Sequence, residues 1–189
     1  YNQSGDTLPQ TDRSANSCST HASNYGLYSV QSSAQTKQYD EPAAPSLFGP
    51  ALSSSSIITG EVVLVNDGSA QPTLACANIL NQSLQGKIAL ISRGTCAFAE
   101  KVLRAQSAGA IAAIIIDTSD QLSILSLVGV ASLDPYIIIP TALISGAYGT
   151  ILREHIANGD TVTLSLHGPP AEENSAKWLM GENSSLGVI

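Results

Sequence analysis

The segment from Gly86 to Asp117 constrains the fold more than any other part of the chain. It contains an apolar run at 88–91, a polar turn at 93–96, an amphipathic stretch at 97–108 and a second apolar run at 111–116. Apolar runs without polar alternation are typical of strands that are covered on both faces. A strand, a helix and a strand of this length predict two parallel strands joined by a right-handed crossover.

The pattern inside the amphipathic stretch supports a helix. Phe98, Val102 and Ala105 fall at helical spacing and form one apolar stripe. Glu100 precedes Arg104 by one turn on the polar side, which is the favourable order for an ion pair. Both observations predict that this helix packs one face against the sheet.

The rest of the folded region is predicted from β-branched runs and capping signals. Ser145 can cap a helix over 147–157, and Asn158-Gly159 ends it. The predicted strands cover 57–65, 137–143 and 161–166, the last with one polar face.

Composition divides the chain into three parts. Residues 1–43 are rich in Ser, Gln, Asn and Thr and predict an extended arm or linker. Residues 44–167 predict one domain with its own core, and 168–189 predict a polar tail.

The segment 118–136 is long for a loop and unusually apolar. Two arrangements are consistent with this pattern: it packs on the core as a short helix, or it exposes an apolar lip. Packing is the arrangement that we expect.

Charge and hydropathy exclude several partners. The net charge is −7, which argues against nucleic acids and anionic membranes, because both favour dense Lys and Arg. No apolar run has the length of a membrane span, and no signal-peptide pattern begins the sequence.

The chain has three cysteines, Cys18, Cys76 and Cys96. Cys76 and Cys96 flank the first core strand and form the natural pair, which leaves Cys18 as a free thiol or a link to another chain. Glycosylation triplets begin at three asparagines, and together with a disulfide they favour a secretory or lumenal compartment: Asn2, Asn81 and Asn183.

No catalytic, cofactor or metal motif is found in the sequence. It lacks a nucleophile elbow, a zinc-binding HExxH motif and a phosphate-binding glycine loop, and its histidines are widely separated. Asp117 and Asp120 follow a predicted strand, where acids bind ligands or cap a loop, and capping is the expected role.

The turn Arg93-Gly94-Thr95-Cys96 is the strongest binding candidate. It combines backbone donors, a fixed positive charge and a covalent tether, which suits a peptide carbonyl or carboxylate. The alternative is a turn that is tight only so that the disulfide can close.

The segment GKIALISRGTCAFAEKVLRAQSAGAIAAIIIDT closely resembles the core of the protease-associated (PA) domain family. Further similarity lies in Ile139 to Ser145, Gly149 to Leu152 and Thr161 to Leu166, so the resemblance covers about residues 44–167. The flanking residues look most like PA domains of secreted metallopeptidases and lumenal mannosidase-like proteins. An upstream cysteine paired with that of the R-G-x-C-x-F turn also fits the family pattern.

The resemblance implies an α/β fold of three layers, β/β/α, also called swivelling, with mixed sheets and two main helices. It implies no catalytic activity, no cofactor and no metal. The implied partner is a protein or peptide, including a catalytic domain of the same parent chain or complex. The resemblance places partner binding at Arg93, Gly94, Thr95 and Cys96. Beside this turn and along the neighbouring apolar loop, the further expected binding residues are Phe98, Asp117, Leu122 and Leu125.

Two other functions stay open from the sequence. The domain can act as a structural spacer or shield for an adjacent peptidase or glycosidase. A small hydrolase, with a Ser-His-Asp triad assembled in space, is the less favoured alternative.

Overall fold

The computed structural model describes residues 24–31, 36–52, 55, 57–78, 84–123 and 126–168, with side chains from residue 43 onward. These residues contain two helices and seven strands. The helices are α1 (Phe98–Ser107) and α2 (Gly146–Ala157). The strands are β1 (Asn24–Gln31), β2 (Thr36–Pro45), β3 (Ile58–Leu64), β4 (Ile88–Ser92), β5 (Ala112–Ile116), β6 (Thr141–Ile144) and β7 (Thr161–Leu166).

The strands close into a barrel in the order β1-β2-β6-β5-β4-β3-β7. β3, β4, β5 and β6 are parallel neighbours, and the remaining pairs are antiparallel. The parallel pairing of β4 with β5 around α1 confirms the predicted β-α-β unit. The mixed sheet and two main helices confirm the predicted α/β class.

Side chains of the central strands are buried on both faces, as their unbroken apolar runs predict. One face of β4 and β5 packs against α1 through Ala99, Val102 and Ala105. The opposite face joins a second apolar cluster that includes Leu152 of α2. The two helices therefore contact different apolar clusters of one sheet.

Close packing of α2 on β5 depends on Gly149. A Cβ atom at this position would overlap the side chain of Ile116. Ser145 caps α2 as predicted, and its side chain accepts a hydrogen bond from the Tyr148 N–H at 3.4 Å.

Two sequence-based boundaries need correction. The expected arm of residues 1–43 includes β1 and most of β2, which pair with β7 and β6. The expected strand over 137–143 begins only at Thr141. The Ile137 N–H donates to Asp134 O, the Ile138 N–H donates to the Gln106 side chain, and Pro140 has no N–H to give to a neighbouring strand. Residues 168–189 lie outside the described residues except for Gly168.

Candidate functional site

The site is built on the turn between β4 and α1. Gly94 has φ +133° and Thr95 has φ +53°, so the backbone turns sharply through a region that L residues rarely adopt. Cys96 forms the predicted disulfide with Cys76, with an S–S distance of 2.11 Å. The bond ties the turn to the segment that precedes β4.

The turn carries a row of unused backbone donors. Among the described residues, no group accepts a hydrogen bond from the N–H of Gly94, Thr95 or Cys96. α1 follows without a side-chain cap at Ala97, so the N–H groups of its first turn are also open. These donors and the positive end of the helix favour a carbonyl or a carboxylate.

The Arg93 side chain is fixed by three contacts. Its Nη1 donates to Asp117 Oδ1 and to Ser123 Oγ, each at 2.7 Å. Its guanidinium carbon lies 5.7 Å from the ring centre of Phe98. Within the described part of the chain no group accepts from Nε or Nη2, so this half of the guanidinium has donors left for a ligand.

Asp117 organises the loop that follows β5. Burial opposes its charge, yet hydrogen bonds outweigh that effect and lower its pKa from 3.8 to about 2. The donors are the Ser123 hydroxyl and N–H, the Arg93 guanidinium and the Thr118 N–H. Asp117 therefore positions Arg93 and the loop, and its own oxygens are occupied.

Two further cations lie beneath the turn. The ammonium group of Lys101 is buried and donates to Leu74 O at 2.5 Å, with Cys76 Sγ at 3.5 Å. Burial, aided by the charge of Arg104, lowers the pKa of Lys101 to about 8. Arg104 donates to Ala75 O and pairs with Glu100, which confirms the predicted ion pair. Arg93 and Arg104 are thus each paired with a carboxylate, and Asp67 is a further negative charge that acts on Lys101.

The expected site residues divide into three groups. Phe98 and Asp117 each contact Arg93, beside the turn residues Gly94, Thr95 and Cys96. Leu122 is partly buried and packs against the first apolar cluster, as Phe98 does. Leu125 and the three glycosylation triplets at Asn2, Asn81 and Asn183 lie outside the described residues.

The apolar loop packs on the core, as expected, although its described residues form only a short 3-10 turn and no longer helix. Leu127 is fully buried, and Val130 and Leu133 pack against the same core. Val128 is 67% exposed, and Tyr136 at the end of the short 3-10 turn Asp134–Tyr136 is 68% exposed. Packing dominates, with single apolar side chains left in solvent.

Sequence reasoning missed Ser123 and Lys101. Ser123 lies in the loop after β5, and no local pattern marks it as a partner of Asp117. The sequence did indicate that Lys101 could be buried, because this charged residue lies one turn after Phe98, beside the apolar stripe of α1.

Across the described ranges, no group of three or more His, Cys, Asp or Glu side chains is arranged to hold a metal ion. No helix among the same residues is long and apolar enough to cross a bilayer.

A small α/β barrel with a disulfide-linked turn ahead of its first helix is the class that these features define. The model of the PA domain family matches residues 58–152. The chain belongs to the PA domain family.

Similar proteins come from several contexts. The chain is 34% identical over 162 residues to human ER degradation-enhancing alpha-mannosidase-like protein 3, covering 76% of this chain and 17% of that protein. It is 39% identical over 105 residues to Arabidopsis thaliana vacuolar-sorting receptor 3, covering 51% and 17%. The solved aminopeptidase from Aneurinibacillus sp. strain AM-1 is similar with a TM-score of 0.52 and 26% identity, covering 79% of this chain and 31% of that one. The chain thus spans less than a fifth of the length of these two curated relatives.

Proposed function

We propose that this chain is a non-catalytic PA domain that binds a protein or peptide through the turn from Arg93 to Phe98. The row of unused N–H groups beside a fixed guanidinium is the observation that carries the proposal. Backbone N–H groups at a surface turn that have no protein partner bond to water, and a ligand oxygen can take the place of that water.

The turn suits a carbonyl or carboxylate of an extended peptide. The backbone N–H groups would donate to the ligand oxygen, and the free edge of Arg93 would add a charge-assisted hydrogen bond. Asp117 and Ser123 hold that arginine in place, so little side-chain entropy is lost on binding.

The expected compartment is lumenal or extracellular. A disulfide is stable in oxidising compartments, and two similar proteins carry names that refer to ER degradation and vacuolar sorting. Glycosylation at Asn2, Asn81 and Asn183 belongs to the same proposal. Enzymatic removal of N-glycans from protein secreted by eukaryotic cells should lower its mass; an unchanged mass would contradict glycosylation.

Binding to an immobilised array of random-sequence peptides tests the proposed function. Wild-type protein should bind a subset of peptides, and Arg93→Ala should weaken that binding by about tenfold, the effect of losing a hydrogen bond from a charged group. Arg93→Lys should keep part of it. Lys87→Ala removes a positive charge at the other end of β4, where Lys87 pairs with Glu61, and should change nothing.

The same purified protein distinguishes peptide binding from the two alternative functions, a structural spacer and a small hydrolase. Absence of binding to every peptide would contradict the proposal and favour a structural spacer. Labelling of any serine by a fluorophosphonate probe would contradict the non-catalytic assignment. Equal binding by wild type and Arg93→Ala would exclude the turn as the binding surface.

A further inference from the structure

Arg153 lies at the same end of β4 as Arg93, but on the side of the sheet that faces α2. Arg153 of α2 donates from Nη2 to Ser92 Oγ at 2.7 Å. Ser92 in turn donates to Thr73 Oγ1 at 2.6 Å. Thr73 belongs to the short 3-10 turn Pro72–Leu74, so three separate elements meet at this point.

Arg153 is the least satisfied arginine of the described region. Its Nε is buried and has no hydrogen-bond partner. No described carboxylate pairs with its guanidinium, whereas Arg93 and Arg104 each have one.

A partly buried cation without a counter-charge costs free energy, and an anion that binds to it recovers part of that cost. Burial also lowers the pKa of Arg153, which reflects the same unfavourable setting. Arg153, Ser92 and Thr73 are each only partly buried, so each residue keeps part of its surface in solvent.

The donors of the cluster fit an oxyanion. Nη1 of Arg153 has no described partner, and it lies beside Nη2 in the planar fork that matches a carboxylate. Because Ser92 accepts from Arg153 and donates to Thr73, the Thr73 hydroxyl hydrogen is left to donate outward. The carboxyl end of a parallel strand is also the edge where ligands of α/β sheets bind.

We propose that Arg153, with Thr73 and Ser92, forms a carboxylate-binding site. The site is separate from the turn at Arg93, because Ser92 and Arg93 are successive residues whose side chains contact different elements. The carboxylate can come from a small free acid, a peptide C-terminus or an aspartate side chain. The three sources share one chemistry.

Titrations followed by 15N NMR on the full chain test the site. The Arg153 Nε–H resonance, assigned by its loss in Arg153→Lys, should shift and saturate with sodium acetate but not with sodium chloride at equal ionic strength. N-acetyl-triglycine with a free or an amidated C-terminus and N-acetyl-Gly-Asp-Gly amide then identify the source of the carboxylate. Absence of a saturable shift with every carboxylate, or an equal shift with chloride, would overturn the proposal.

Substitutions distinguish a loss of carboxylate binding from a loss of folded structure. Arg153→Gln should weaken the acetate-dependent shifts of the Ser92 and Thr73 amides by about tenfold, the effect of losing a charged hydrogen-bond donor. Lys87→Gln makes the same change of charge elsewhere and should have no effect. If Arg153→Gln fails to fold, Thr73→Val provides the test, because it keeps the shape and removes the hydroxyl, which is both the outward donor and the acceptor for Ser92. Unchanged acetate affinity in the folded variant would overturn the assignment.

The Arg93→Ala variant distinguishes this proposal from the proposed function. It should lose peptide binding at the turn and keep the acetate response of Arg153. Loss of the acetate response in Arg93→Ala would overturn the proposal of a separate site, whatever the peptide array shows.

Discussion

Nη1 of Arg93 lies 2.7 Å from Oδ1 of Asp117, and this contact joins the ends of two neighbouring parallel strands. Each residue follows a strand directly, since Ser92 of β4 pairs with Ile116 of β5. The Asp117 side chain is fully buried, whereas that of Arg93 is 28% exposed. The pair therefore fixes the turn after β4 to the loop after β5 and leaves one edge of the arginine in solvent.

Replacement of Asp117 should loosen that junction. Asp117→Asn keeps the size of the side chain but removes the charge and weakens the bonds to Arg93, Ser123 and Thr118. We expect the free energy of unfolding to fall by about 1–3 kcal/mol, measured by denaturant titration. Asp120→Asn is the matched control, because Asp120 is exposed, and it should be neutral. Equal effects of the two substitutions would contradict the assigned role.

The same carboxylate predicts a pH dependence. Its pKa is about 2 in the folded chain against 3.8 for the ordinary group, so the stabilisation is present above pH 3.8 and is lost as the pH falls towards 2. Wild type should lose stability relative to Asp117→Asn over this interval. Parallel acid-unfolding curves for the two proteins would contradict the lowered pKa.

The buried ammonium group of Lys101 predicts a second pH dependence of stability, at alkaline pH. Its pKa is about 8 in the folded chain against 10.5 for the ordinary group, so the folded chain releases this proton first. The cost of burying the charge is present below pH 8 and is relieved as the pH rises towards 10.5. Relative to Lys101→Met, wild type should gain stability over that interval. Both proteins should carry Cys18→Ser to prevent thiol exchange, and a constant difference between them would contradict the prediction.

The Cys76–Cys96 bond should contribute to stability through the unfolded chain. With a sequence separation of 20 residues, the chain-entropy model gives about 3 kcal/mol. A double Cys76→Ser, Cys96→Ser variant should lose this amount in denaturant titration, while Cys18→Ser should lose none. Detection of free Cys76 and Cys96 thiols in non-reduced protein by mass spectrometry would remove the basis of the prediction.

Two adjacent residues of the apolar loop should respond differently to truncation. Leu127 is 0% exposed and its N–H donates to Pro45 O, so Leu127→Ala should cost about 2–5 kcal/mol. Val128 is largely in solvent, and Val128→Ala should change stability by less than about 0.5 kcal/mol. Thermal unfolding of both variants measures the contrast. Similar losses would show that the loop does not pack as described.

Local patterns predicted the central β-α-β unit well, because strands that are buried on both faces, such as β4 and β5, consist of unbroken runs of apolar residues. β1 and β2 were not predicted, because they are held by pairing with β7 and β6, distant in sequence, and contain few large aliphatic residues. Such strands lack the periodic apolar signal on which sequence reasoning depends.

The candidate site was predictable in part for a similar reason. The turn and the Cys76–Cys96 bond are marked by residue types with special geometry. The partners of those residues are not marked: Ser92 and Arg153 are 61 positions apart, and only the fold brings them together.

Closure of the barrel has a consequence for how the protein can be divided. The family match at 58–152 omits β1, β2 and β7. A fragment cut to those limits would leave β3 and β6 with free edges, whose unpaired backbone groups recruit strands from other molecules. β2 and β7, which lie outside those limits, therefore protect the edges of β6 and β3 against self-association.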